Sequence, residues 1–261
     1  MKAKGFELIG SANNAEWAAQ IVLSHNITLG AGEGYLPLFV DYQTPFDVEI
    51  FCKTYANWEK QEPLLKTFNS RPIYGVDHLF RSASLDGASV DDVTILRHHG
   101  VRAAIDLRTR QIDEVTKRLL ELNGIEYHSI PLRPTWVSPG TSGITIEEGV
   151  TNTYQSYLRF IEQEDTIRHI LQVIKDRPAI VFCAYGKDRT GLIAALIQTM
   201  AGVSIQDIVM DYAISYLNLA LRFGNDMKRD LSANYDKLIR LDLFAKIIDE
   251  WKNKRSPSCL V

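Results

Sequence analysis

The chain has 261 residues, 46% of them apolar and 23% charged, and its 29 basic and 32 acidic side chains leave a formal charge of −3. That length can bury a substantial core as one domain or two, and the composition is that of an ordinary globular protein. The charge balance excludes the basic footprint of a nucleic-acid binder or of a protein held electrostatically on a membrane, so a negatively charged ligand must be drawn by a local arrangement of groups.

In chain order, residues 1 to 70 carry the weakest pattern. Ile27 to Leu29, Tyr35 to Val40 and Val48 to Cys52 are predicted extended. Gly30, Gly32 and Gly34 join the first two; their spacing suits a nucleotide loop, but no apolar helix follows, and a hairpin turn is the expectation. From Ile73 the signals alternate. Ser89 is the expected N-cap of a helix to His99, with Asp91 and Asp92 in its first turn and Gly100 as its stop. Val101 to Arg108 is an apolar run of strand length. Thr109 to Leu122 is predicted helical, ended by Asn123-Gly124. Ile125 to Leu132 is another strand, and Arg133 to Gly149 a long loop of the kind that more often serves function than not.

Thr151 to Lys175 is predicted as a long helix broken near Glu164-Asp165, and Pro178 closes it. Ala179 to Ala184 is a short buried strand. The chain then turns through Tyr185-Gly186-Lys187-Asp188 into Gly191 to Gly202, a helix apolar on all sides, which belongs in a core. Ser204 caps a further helix through Tyr216. Strands alternating with helices imply an α/β fold, a mostly parallel sheet flanked by helices on both faces.

Three cysteines, Cys52, Cys183 and Cys259, are too few for a disulfide framework, and none lies at zinc-ligand spacing from another. Neither a metal nor another cofactor is expected. A reducing compartment, the cytoplasm, fits this usage, and a lone cysteine there is a candidate nucleophile. No apolar run follows the first lysines, so no signal peptide is expected. Gly191 to Val203, interrupted by Gln198, is too short to cross a bilayer. Cys259 precedes two residues where a prenylation box needs three, and Asn26-Ile27-Thr28 is a glycosylation sequon on paper only. Cys52, Cys259 and the pair His98-His99 keep structural readings. The tryptophans read as packing residues, although Trp136 falls in the long loop, where it can line a cleft.

The informative segment is Cys183-Ala184-Tyr185-Gly186-Lys187-Asp188-Arg189-Thr190-Gly191, between a buried strand and a buried helix. Ligands of open α/β sheets bind at the carboxyl ends of strands, beside helix N-termini. A loop there can turn several N–H groups inward, and the helix dipole adds partial positive charge; such a nest holds a phosphate-like dianion. Helix N-termini and nearby cations also favour a thiol as thiolate, the reactive form. Arg189, six positions after Cys183, can fold over the same cavity, and its planar fork suits two phosphate oxygens. Thr190 can donate a hydroxyl hydrogen bond to the sulfur, and Gly186 permits a backbone conformation that other residues resist.

This segment resembles the active-site loop of the protein tyrosine phosphatase superfamily, whose signature is Cys, five residues, Arg, then Ser or Thr. Gly186-Lys187-Asp188-Arg189-Thr190-Gly191 is similar in particular to the atypical tyrosine/phosphoinositide phosphatases of bacteria and fungi. The likeness extends to Leu79–Leu85, Val101–Glu114 and Asp211–Ser215, and covers Ile73 to Leu217. It implies a phosphatase domain over residues 71–261; residues 1–70 carry no such match and are expected to be an N-terminal segment, partly β, packed on that domain. It also implies attack by Cys183 to give a cysteinyl-phosphate, with the loop residues Ala184, Tyr185, Gly186, Lys187 and Thr190 and the side chain of Arg189 around the phosphate. No metal is required. The proton donor is Asp188 first and Asp106 second, an alternative for Asp106 being an ion pair with Arg108 or Arg81. Lys187 either meets a second phosphate or acidic group of the substrate or is a solvated lysine. One departure stands out: the family usually has histidine before the cysteine, where it helps order the loop, and this chain has Phe182.

The resemblance implies a phosphorylated partner, a phosphotyrosine protein or a phosphoinositide headgroup. Two other readings stay open: hydrolysis of another phosphorylated metabolite, such as a prenyl diphosphate or inositol polyphosphate, and a phosphate-binding module without turnover.

Overall fold

The structure, a computed structural model, describes residues 65–133, 146–215 and 241–254, save positions 176, 206, 210, 213 and 214. The expected extended segments before residue 53, together with Cys52, Cys259, Trp136 and the Asn26 sequon, lie outside the described residues.

Five strands make one sheet: β1 Arg71–Pro72, β2 Leu79–Ser82, β3 Ala103–Asp106, β4 Glu126–Ser129 and β5 Ala179–Phe182. Their order is β1-β2-β5-β3-β4, with β1 antiparallel to β2 and every other pair parallel, as strand–helix alternation led one to expect. The helices are α1 Val90–His98, α2 Glu114–Leu122, α3 Ile146–Ile161, α4 Glu164–Ile174, α5 Asp188–Met200 and α6 Leu241–Lys254. Between the last two, residues 205, 207–209, 211–212 and 215 are also helical, and Ser204 caps them, its Oγ accepting from Asp207 N at 3.2 Å.

Strand periodicity divides the core. Leu79, Ala103, Ile105, Ala179 and Val181 face one apolar cluster shared with α3, α4, α5 and α6. Phe80, Ala104, Ile180 and Phe182 face the other, shared with α1 and α2. β5 is central and wholly buried, which is why its sequence is an unbroken apolar run. Helix α5 carries Leu192, Ile193, Leu196 and Ile197 into the first cluster, and each such side chain is worth about 1.5–3 kcal/mol relative to exposure.

Local chemistry explains the boundaries. Ser89 and Asp92 form a capping box that starts α1, and Gly100 follows it at φ +77°. Asp92 also accepts from Lys66 N at 2.8 Å, which ties residue 66 to α1. The expected helix from Thr109 begins later, at Glu114. Asp113 is its N-cap, accepting from Thr116 N at 2.9 Å, and Asp86 anchors the non-helical residues before it by accepting from Arg110 Nη2 at 2.6 Å and Asp113 N at 3.2 Å. In the other direction, α3 starts at Ile146 rather than Thr151. The break before α4 falls at Glu162-Gln163, with Gln163 as N-cap.

Register places the site. Phe182 at the end of β5 pairs with Ser82 of β2 and Asp106 of β3. The residues that follow each strand, Cys183, Ala83 and Leu107, therefore leave the sheet side by side at its carboxyl edge.

Candidate active site

Cys183 follows β5 directly and is a free thiol, only 3% exposed. The next three carbonyls are all tied to the scaffold. Ala184 O accepts from Ser84 N at 3.2 Å, Tyr185 O from Asn69 Nδ2 at 2.9 Å and Gly186 O from Arg81 Nη2 at 2.9 Å. In a trans peptide the next N–H lies anti to the carbonyl. The amides of Tyr185, Gly186 and Lys187 are thus turned to the opposite side of the loop from these anchors. Helix α5 starts at Asp188 and adds its own N-terminal amides and dipole.

Two glycines are required by close approach. Gly186 sits at φ +67°, and a Cβ there would lie 2.5 Å from the carbonyl carbon and oxygen of Ser82 and 2.6 Å from Ala83 N. A Cβ at Gly191 would lie 2.7 Å from the Tyr212 ring and 3.0 Å from Arg81 Nη2. The loop and helix are pressed onto β2 and onto the segment around Tyr212.

Behind the loop lies a buried ionic cluster. Arg81 Nη1 donates to Asp211 Oδ2 at 2.7 Å and Arg71 Nε to Asp211 Oδ1 at 3.1 Å. Ser215 Oγ accepts from both arginines, and Arg71 also donates to Asn69 Oδ1, so both residues that hold loop carbonyls from this side belong to one network. Burial pushes the Arg71 guanidinium down to about 9, helped by the Arg81 charge and opposed by Asp211. Burial pushes Asp211 the other way, but the two guanidiniums outweigh it and hold its carboxyl below the usual range. Two cations sharing one carboxylate leave one net positive charge beneath the loop, which favours an anion on its far side.

Asp106, at the end of β3, is completely buried and saturated. Its Oδ1 accepts from Arg108 N and Nε, both at 2.9 Å, and its Oδ2 from Arg108 Nη2 at 2.8 Å and Tyr127 Oη at 3.1 Å. This is the ion pair with Arg108 that the sequence allowed as its alternative role. Arg108 also donates to Ser84 Oγ and Asp86, and its guanidinium lies 5.5 Å over the ring of Phe182. Burial works against that charge, but the bonds to Asp106 and Asp86 hold its pKa above the usual arginine value. The position before the cysteine is therefore filled by an aromatic ring in the core with a clamped cation on its face. Between the clamped residues, Leu107 O accepts from Arg189 Nη1 at 3.2 Å. Arg189 makes no other hydrogen bond among the described residues, which leaves most of its five donors for a ligand.

Asp188, in the first turn of α5, has a side chain 26% exposed. Its Oδ1 accepts a short hydrogen bond from Tyr157 Oη and lies 3.3 Å from Lys187 Nζ and 3.5 Å from Tyr212 Oη. Lys187 is buried rather than solvated. Thr190 is buried too, but its Oγ1 has no hydrogen-bond partner among the described residues, the sulfur of Cys183 included.

A sequence model described as the tyrosine phosphatase family matches residues 75–252, about two thirds of the sequence. The chain belongs to that family. A tyrosine-protein phosphatase from Nostoc commune is 30% identical over 148 residues, which cover 53% of this chain and 48% of that one, so this family member spans about half the length of the curated relative it matches. Among solved structures it is similar to the core catalytic domain of the PP-IP phosphatase Siw14 from S. cerevisiae, at 14% identity, covering 67% of this chain and 96% of that one with a TM-score of 0.40. It is also similar to P. aeruginosa TpbA, at 18% identity, covering 69% and 91% with a TM-score of 0.34.

Of the residues singled out in sequence, the structure brings Cys183, Ala184, Tyr185, Gly186, Lys187, Asp188, Arg189 and Thr190 into one loop and helix turn, and sets Asp106 one strand away in its own ion pair. Sequence reasoning missed Asn69, Arg71, Ser84 and Tyr157. A charged residue in an otherwise apolar strand marks Arg81, and an aspartate beside apolar neighbours marks Asp211. Tyr157 carries no such signal, because a tyrosine on the apolar side of a helix reads as packing.

Proposed function

We propose that this family member hydrolyses phosphate monoesters through a covalent phosphate on Cys183. The observation that carries the proposal is the loop: three carbonyls anchored outward by Ser84, Asn69 and Arg81, with buried positive charge behind them and the cysteine at its start. In the first step Cys183 Sγ attacks phosphorus and the alcohol or phenol leaves with the proton of Asp188. In the second, water attacks the cysteinyl-phosphate, its proton passes to the Asp188 carboxylate, and inorganic phosphate leaves the regenerated thiolate. The loop amides and Arg189 hold the equatorial oxygens in both steps. Thr190 Oγ1 supplies its unused hydrogen to the sulfur when that sulfur is the leaving group.

Asp188 suits the donor role better than Asp106, because Asp188 is part-exposed on the loop while every acceptor site of Asp106 is occupied. The substrate class we favour is phosphotyrosine in proteins, after the name of the Nostoc relative, with phosphoinositides second through buried Lys187. The phosphatase domain we assign begins at residue 71, and its thiolate chemistry calls for a reducing, cytoplasmic setting.

Turnover of an aryl phosphate by wild type and by Cys183→Ser tests the proposal. Activity lost in the variant supports it; equal rates would remove Cys183 from the mechanism. Phosphopeptides, phosphoinositides, prenyl diphosphates and inositol polyphosphates, assayed side by side, then order the substrates.

A further inference from the structure

Two tyrosines point their polar ends at one oxygen of Asp188. The Tyr157 ring packs edge-on against Phe160 and Phe244, with centroids 6.0 and 6.2 Å away, and the Tyr212 ring stacks on Phe244 at 3.9 Å. Both residues are buried. Phenylalanine would fill such a site equally well, and a buried hydroxyl is costly unless it is paired. The pairing is specific. Tyr157 Oη donates to Asp188 Oδ1, so its lone pair is left to accept from Tyr212 Oη at 2.8 Å. This hydroxyl chain runs from the core to the carboxylate, and Lys187 Nζ reaches the same Oδ1. Asp188 Oδ2 has no hydrogen-bond partner among the described residues.

We infer that Tyr157, backed by Tyr212, is a positioning residue for the proton donor: it pins Oδ1 inward so that Oδ2 carries the transferable proton toward the leaving oxygen. The inference rests on the reading of Asp188 as that donor. Phe244 of α6 sets both rings, so α6 contributes to the geometry although it lies more than fifty residues from Asp188 in sequence.

The test compares phenyl phosphate, whose leaving group needs a proton, with 2,4-dinitrophenyl phosphate, whose leaving group does not. Tyr157→Phe keeps the ring and removes one hydroxyl. It should lower kcat for phenyl phosphate on the order of tenfold, the worth of a hydrogen bond to a charged group, and leave the dinitrophenyl ester nearly unchanged. On an Asp188→Asn background the same substitution should change neither rate further. If Asp188→Asn is selective for the poor leaving group but Tyr157→Phe slows both esters equally, or neither, the positioning role is wrong and the donor assignment stands. If Asp188→Asn itself slows both esters equally, the donor assignment fails and this inference with it. Should Tyr157→Phe lower the thermal midpoint too far for assay, Tyr212→Phe replaces it. That variant should show the same selectivity at smaller size, and equal loss on both esters would again overturn the role.

Discussion

Gly186 shows how much of the site is decided by single atoms. Its positive φ costs any L side chain roughly 1–2 kcal/mol, and the Cβ would also run into the backbone between Ser82 and Ala83. Gly124 has a similar φ of +72° with nothing within 4 Å of the added carbon. Gly124→Ala should therefore lower the thermal midpoint by a few degrees and leave kcat/KM unchanged. Gly186→Ala should shift the loop and lower kcat/KM on the order of a hundredfold; a Gly186→Ala enzyme as active as Gly124→Ala would show that the approach to Ser82 does not set the loop. The glycine, the cysteine and the arginine were legible because their spacing is local. Phe182 was legible only as a departure: that its ring would lie under Arg108, with Asp106 and Asp86 holding the cation, depends on pairing β5 with β3.

Among elements, the working unit is the truss that joins β1, β2, the loop and the helical residues around Asp211. Its bonds link positions more than a hundred residues apart, so no window of sequence displays it; the local signal is no more than that Arg81 and Asp211 are charges in apolar surroundings. The same long range explains the late start of α2, where an anchor from Asp86 overrode local propensity. The mostly parallel sheet flanked by helices was legible, because it follows from the alternation of strands and helices; the order of its strands was not. The truss also sets an acid limit. Asp211 is held below the ordinary carboxylate range, so its pairing contributes stability above the unfolded value of about 3.9, and this is lost as the pH falls from there toward the folded value. Burial pushes Asp86, Asp92 and Asp113 up, but their several hydrogen bonds together outweigh it and hold each below the ordinary value, so they act in the same direction. Unfolding followed in denaturant from pH 7 to 2 should show stability declining below about pH 4–5. Asp211→Asn leaves two buried guanidiniums without a carboxylate. It should cost about 3–5 kcal/mol at pH 7 and flatten the acid decline. An unchanged slope would mean that the cluster does not report on folding.

At the scale of the whole molecule, the proposed activity asks a chain with a net charge of −3 to receive a phosphate. The fold achieves this by concentrating positive charge at one sheet edge: the α5 N-terminus, Arg189, Lys187 and the unbalanced arginine pair beneath the loop. Beside it, at the end of the central strand, stands Cys183. The most direct test of the nucleophile is rapid quenching of the enzyme with an aryl phosphate, followed by intact mass and peptide mapping. The wild type should carry one phosphoryl group on the peptide containing Cys183, and Cys183→Ser should carry none. Steady turnover with the phosphoryl group on another residue, or with no covalent phosphate at any quench time while Cys183→Ser remains active, would contradict the account.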